Sequence, residues 1–509
     1  MNRITHSIKN SLWGIIYRVL HMIIPVVFRA IIIKSLGVAY IGLDGLFKSI
    51  LNVLTLTELG FGTAVIYMMY KPIAEEDYKT INRLLALLKR VYKWIGALVL
   101  LVGVILIPFL RFLVKNDTGV EVNIYLLYSM YLFHTVLSYW MYAYRSTLFA
   151  AHQEYEITYK ILVVCSVVQY IIQAVVLYCF KNYYLYLAVF ALMIIPENIL
   201  YKVFSEKRYT NARCEGEPTK EEIETIKIKI GALLGHRIGN TVIFSIDNII
   251  ISAYIGVSIL AKYDNYNLIL LSLVSLLSVI YSGIMASVGN KIQLDTTEDI
   301  YSLFKRLTFL WNGLIGWATA CLLALYQPFI ALWVGEGMLF SESIVICISL
   351  YFFVWQFRQI GLIFKDAAGL WEKDKMKPYI GMISNVALSI LFVKKTGSIL
   401  GVLIPTMCIL LMIYYPWEIH ILFKYLFKRR ASEYILMAVR FSVSSIMSVF
   451  ISYYAVSRIT LFGISGIIVK GLVCTLVTSA CYLLFNSTTI QLKETVQIGL
   501  RFLIKKDMK

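Results

Sequence analysis

The sequence predicts an all-α polytopic membrane protein of about fourteen transmembrane helices, arranged as two parallel six-helix bundles followed by two further helices. Three observations lead there. The 509 residues are 59% hydrophobic and only 15% charged, a balance that water would not keep in solution as a monomer and that excludes a soluble enzyme. Apolar runs of ~20 residues, the length of a bilayer-spanning helix, recur at regular spacing. The chain also matches itself at an offset of 219 to 220 residues.

The runs fall at roughly 11–33, 43–70, 92–114, 122–144, 159–180, 183–204, 230–254, 265–289, 307–327, 343–364, 379–393, 399–423, 434–456 and 461–485. Stretches such as Leu98 to Leu110 are continuously apolar, without the alternation of a barrel strand, so the spans are helices. The first run carries Arg18 and Arg29 and has no small-residue cleavage site. It reads as a retained span, not a cleaved signal peptide. Seven of the eight cysteines lie inside apolar runs without paired spacing, as small core residues do.

The formal charge of +18 is the excess expected of cytoplasmic loops, and nothing in it calls for nucleic acid. Basic residues crowd the 71–93 loop (Lys71, Lys79, Arg83, Lys89, Arg90, Lys93) and the 202–229 segment, while 328–343 has none. The crowded loops are placed in the cytoplasm, and an even span count puts both termini there. The polar 205–226 stretch divides the chain. The expected organisation is an N-terminal bundle over 1–204, a cytoplasmic linker over 205–229, a second bundle over 230–430, and two added helices with a basic tail over 431–509.

The self-match superposes Arg18 on Arg237, Gly37-Val38 on Gly256-Val257, Pro108-Phe109 on Pro328-Phe329, and Pro196 on Pro416. Six spans separate matched positions, so the repeat is parallel, as in transporters built from two related halves around a cavity.

A charge near the bilayer centre costs at least ~2.5 kcal/mol, so each retained one needs a partner or a watery cavity. Arg18, His21, Pro25 and Arg29 share one face of the first span. Shifted by 219, the stripe becomes Arg237, Asn240, Phe244 and Asn248. Arg18, Arg29, Arg237, Asn240 and Asn248 are therefore candidate cavity residues, with Lys48 added from the second span. Either Lys48 faces substrate or it pairs locally with Asp44, four residues before it. Glu58 and Asp247, deep in opposite halves, either exchange a driving proton or sodium ion or neutralise an arginine. Arg440, Lys470 and Glu418 read as paired or snorkelling groups. No HExxH, GxSxG or Walker motif is present, and the six histidines are scattered singly. No catalytic residue, metal site or cofactor is expected.

The stretch from Arg29 through Lys34, Gly37, Tyr40 and Gly42 to Phe47 resembles the first-loop signature of the polysaccharide flippases, the Wzx-type transporters of O-antigen and capsule repeat units. Thr57-Glu58-Leu-Gly60-Phe-Gly62, Ile246-Asp247-Asn248, Ala261-Lys-Tyr263-Asp-Asn-Tyr266 and Phe364-Lys-Asp-Ala367-Ala-Gly369-Leu-Trp371 are similar to later elements of that family. The resemblance spans about residues 10 to 430. It implies the multidrug/oligosaccharidyl-lipid/polysaccharide exporter (MOP) superfamily, with a MATE-like fold in a bacterial cytoplasmic membrane. It further implies undecaprenyl-pyrophosphate-linked oligosaccharide as substrate, membrane lipid and a coupling proton or sodium ion as partners, and a polysaccharide polymerase as a neighbour in the same pathway. Arginine suits a pyrophosphate head because it can donate paired hydrogen bonds. One departure is that no basic residue lies between Lys262 and Lys291 on the eighth span. Competing readings are a multidrug cation antiporter, which calls for a net acidic cavity, and a polytopic polymerase or ligase, which calls for a large exterior loop.

Overall fold

The computed structural model describes residues 3–58, 60–115, 122–226 and 245–497, and among them every regular element is helical. Eleven helices are long and apolar enough to cross a membrane, which makes the chain a multi-pass membrane protein. The other three expected spans are present in shorter form. The second is broken into Ala39–Leu54 and Phe61–Ala74, the fourth is the 17-residue Ile124–Trp140, and the seventh is described only over Ser245–Ile255. The weakest run, 379–393, lies within a full span, Leu370–Thr396.

Polar residues between the apolar runs start the helices. Asp77, Asn123, Asn182 and Thr296 each accept a hydrogen bond from a backbone N–H two or three residues on, satisfying donors that a helix start leaves open. The break in the second span is set by Gly60, whose φ of +112° is a conformation only glycine adopts without strain. It leaves Glu58 at the end of a 3₁₀ turn, Thr55–Glu58, beside the third span.

Chain contacts define two compact units, Met1–Asp264 and Asn265–Lys509. In the first, the opening helix packs on Tyr155–Phe180, which packs on Tyr183–Arg208; that helix packs on Ile124–Trp140, and the last on Tyr78–Leu106. In the second, the 38-residue helix Thr297–Val334 is the hub. Glu342–Phe357, Ser432–Ser457 and Gly463–Phe485 all pack against it. Small residues let the last two approach: Gly316 faces Ser445, and Gly313 faces the Tyr482 ring. Ser445 then donates to the Asn312 carbonyl at 2.9 Å, and Tyr482 to the Phe309 carbonyl at 2.8 Å. The outward faces stay apolar, with Phe112 and Leu436 about three-quarters exposed, as lipid-facing side chains are.

Offset-related residues hold equivalent places. Gly37 and Gly256 both have positive φ, +109° and +142°, and each links one helix to the next. Pro196 lies within Tyr183–Arg208, and its counterpart Pro416 within Leu400–Phe427.

Candidate functional site

In the first unit the opening helix, the second span and the start of the eighth bring four charged side chains together at similar depth. Arg29 lies six residues before the end of Arg3–Ser35, Asp44 five after the start of Ala39–Leu54, and Asp264 seven after the start of Val257–Leu294. At ~1.5 Å per residue each sits ~7–10 Å from its helix end. Asp264 is within electrostatic range of Arg29, Asp44 and Lys48. Lys48 Nζ pairs with Asp44 Oδ2 at 2.8 Å, so the local pairing is realised. The lysine is nevertheless 54% exposed, on a helix whose other residues from Ala39 to Leu51 are mostly buried.

Tyrosines wall this cluster. Tyr131 donates its hydroxyl to Asp44 Oδ1 and lies 3.2 Å from the Tyr183 hydroxyl. The Tyr183 ring stacks on Tyr186, at 5.5 Å between centroids, and meets Tyr40 in a tilted contact at 4.4 Å. Arg29, itself half-buried, is within electrostatic range of Tyr183 and Tyr186. Such an arrangement offers cationic donors to an anion while carboxylates hold those donors in place.

Helices two and eight meet through glycines. A methyl group built on Gly42 would overlap the Val257 carbonyl, and one on Gly45 would overlap the Asp264 carboxyl oxygen. One turn along the same face of the second span, Asn248 of the seventh donates to Ser49 at 2.9 Å, and Ser49 to the Gly45 carbonyl at 2.8 Å. Asn248 thus joins the same neighbourhood as Asp44 and Lys48. Asp247 beside it is buried.

The other predicted residues lie apart. Arg18 and His21 are exposed, and His21 is 3.3 Å from Ser166 Oγ on the fifth span. Glu58 accepts a hydrogen bond from Tyr139 at 2.6 Å, with the Tyr92 hydroxyl also bonded to it. Arg237 and Asn240 lie outside the described residues. Among the described residues, no group of three or more histidine, cysteine or acidic side chains could hold a metal ion.

Each unit also buries a charged corner between spans. In the first, Arg145 bridges Glu206 at 3.0 Å and Ser205 at 3.3 Å. In the second, Lys365, which stands 220 residues after Arg145, pairs with Asp374. Lys377 joins Asp374 at 2.8 Å to Glu418 at 2.6 Å, and Glu418 also holds Arg358. The paired reading of Glu418 is realised.

No family model and no curated protein sequence matches the chain. Solved structures do. An inward-closed lipid II flippase, MurJ, is similar over 95% of this chain and 100% of its own, at 14% identity and a TM-score of 0.64. An inward-facing multidrug resistance MATE family transporter matches over 80% and 98%, at 14% identity and 0.62. A Vibrio cholerae MATE transporter, VcmN, matches over 84% and 100%, at 13% identity and 0.53. The chain therefore shares the fold of these membrane transporters.

Proposed function

We propose that this protein is an alternating-access flippase that moves an oligosaccharide on an undecaprenyl pyrophosphate carrier across a bacterial cytoplasmic membrane, with both termini and the 205–226 segment in the cytoplasm. The observation that carries this reading is the cluster of Arg29 with Lys48, two cationic side chains from adjacent spans, lined by tyrosines. Arginine grips a phosphate with paired hydrogen bonds, and tyrosine rings stack on sugars. The polyprenyl tail stays in lipid while the polar head passes through the protein. Likeness to a lipid II flippase supports the same class of substrate, and the polysaccharide-flippase resemblance narrows it to a repeat unit for O-antigen, capsule or a related surface polymer. Arg237 and Asn240, candidates from the sequence alone, would add further polar contacts to the head.

The multidrug antiporter is the second reading. Asp44, Asp264 and Glu58 in the same unit favour it, because organic cations need acidic partners. Asp44 pairs with Lys48, and Asp264 faces Arg29 and Lys48, so the acids in this cluster already meet cations of the chain itself, which leaves the flippase reading ahead.

Purified protein in vesicles, given a fluorescent polyprenyl-pyrophosphate oligosaccharide in one leaflet, tests this directly. Transfer to the opposite leaflet, lost in Arg29→Ala, is expected. Export of a cationic dye with no lipid transfer would decide for the antiporter.

A further inference from the structure

Asp264 is only 6% exposed, and among the described residues its Oδ2 atom has no hydrogen-bond partner. Gly45 closes off that oxygen, since a methyl group at position 45 would occupy the same space. The charged groups facing Asp264 are Arg29 from the first span and Asp44 and Lys48 from the second. Asp44 is already held by Lys48 and Tyr131. An ionised carboxylate taken out of water with one oxygen lacking a donor is strongly disfavoured. A proton on Oδ2 removes that penalty. A hard cation would need a shell of oxygens, and what meets Oδ2 here is the α-carbon of Gly45.

We propose that Asp264 is a proton-exchange site that sets the charge an anionic head meets at Arg29. With Asp264 neutral, these four groups, Arg29, Lys48, Asp44 and Asp264, sum to one net positive charge, and an anion is attracted. With Asp264 ionised the charges balance, and Arg29 is drawn to the carboxylate instead. The proton comes from water and returns to it, and no other bond is made or broken. Head binding and proton uptake are then linked, and release of the proton on the far side favours release of the head. The inference rests on the flippase reading for the identity of the anion, and it adds a coupling group on the eighth span to Glu58 and Asp247.

The test uses the full-length protein in detergent, titrated calorimetrically with inorganic pyrophosphate at each of several pH values, in two buffers of different ionisation enthalpy. Comparison with Asp264→Asn cancels the protonation of pyrophosphate itself. At pH high enough to ionise Asp264 in the free protein, wild type is expected to take up as much as about one proton more per pyrophosphate than Asp264→Asn, and its affinity to weaken by up to about tenfold per pH unit relative to the variant as Asp264 ionises. Asp264→Ser serves if the asparagine variant does not fold, and Asp264→Glu is expected to restore the linkage. Equal proton uptake in wild type and variants, or no binding of pyrophosphate to wild type, overturns the proposal. Lipid transfer in vesicles is scored separately: proton-linked binding without transfer sinks the flippase reading, whereas transfer with proton-independent binding sinks the role of Asp264 alone.

Discussion

Gly45 and Asp264 stand 219 residues apart, the offset at which the chain matches itself, and they touch: the glycine leaves the space that the aspartate carboxyl fills. Gly45→Ala must therefore push Asp264 aside or part helices two and eight. Overpacking of this kind costs about 1–3 kcal/mol, read as a lower unfolding temperature of the detergent-solubilised protein. Asp264→Ala in the same chain should recover most of the loss, as coupling between touching residues requires. Additive losses in the double variant would show that the two side chains do not compete for one space.

Much of this neighbourhood was legible beforehand, and the reasons for the gaps are physical. Arg29 stood out because an arginine inside an apolar run is costly, and the Asp44–Lys48 pair because four residues make one helical turn. Asp264 was hidden by the Lys262-Tyr-Asp-Asn265 stretch, whose polarity resembles a loop and placed the start of the eighth span at residue 265, just past the aspartate. The helix in fact begins at Val257. Tyr131 and Tyr183 carried no signal among 36 tyrosines, most of which serve packing equally well. Lys365, Asp374 and Lys377 look like a solvated connection between spans ten and eleven. They are buried because their charges alternate in sign and close on Glu418.

Arg358 and Glu418 form a deeply enclosed ion pair, at 4% and 0% side-chain exposure. The twelfth span is π-helical over Leu410–Tyr414 and Leu422–Phe427, on either side of the short helix that carries Glu418. Glu418→Gln leaves Arg358 and Lys377 without their shared counter-charge, and a broken buried pair costs about 3–5 kcal/mol. The combined Arg358→Met, Glu418→Leu variant removes both charges and is expected to lose less than the two single losses added. Chemical unfolding in mixed micelles measures this, and full additivity would mean that the pair contributes nothing as a pair.

Glu154 gives the fold a dependence on acid pH. Burial pushes its carboxyl upward, but hydrogen bonds from Arg208 and Tyr209 and the arginine charge outweigh it and hold the group below the ordinary glutamate value of 4.5. Arg208 Nε and Nη2 each donate at 2.5 Å, and Tyr209 at 2.6 Å. A depressed acid stabilises the fold above its unfolded pKa, and that contribution is lost as pH falls through the folded value. Wild type should exceed Glu154→Gln by about 1 kcal/mol at neutral pH, because the arginine is half exposed. The gap should close below about pH 4. A gap constant from neutral to acid pH would assign the loss to packing instead.

Glu58 is clasped by Tyr139 and Tyr92, so a change in its protonation would reorder two hydroxyls as well as one charge. Glu58→Gln keeps an acceptor oxygen and should preserve the fold. Combined with Asp247→Asn, it is expected to remove stimulation of transport by a sodium or proton gradient while leaving gradient-free exchange. Transport that keeps its full dependence on both ions in the double variant would leave coupling to Asp264.

Arg29 is where charge, depth and the tyrosine wall coincide. Arg18 lies eleven residues earlier on the same helix, ~16 Å away at ~1.5 Å per residue, so the two are too far apart to grip one pyrophosphate at once. In the proposed flippase cycle they would act in sequence, the exposed Arg18 capturing the head and Arg29 holding it beside Tyr183 and Tyr186. Arg29→Lys keeps the charge and loses the two-point geometry, so partial transport is expected. Arg29→Ala removes a charge-assisted contact of about 1.5–3 kcal/mol, a loss of roughly ten- to a hundredfold in head affinity, and Arg29→Glu should abolish transport at unchanged protein levels. Vesicle transfer rates for the three variants, normalised to inserted protein, give the order. Wild-type transfer by Arg29→Ala would place the guanidinium at the membrane interface, and the anion site would have to be sought elsewhere in the chain.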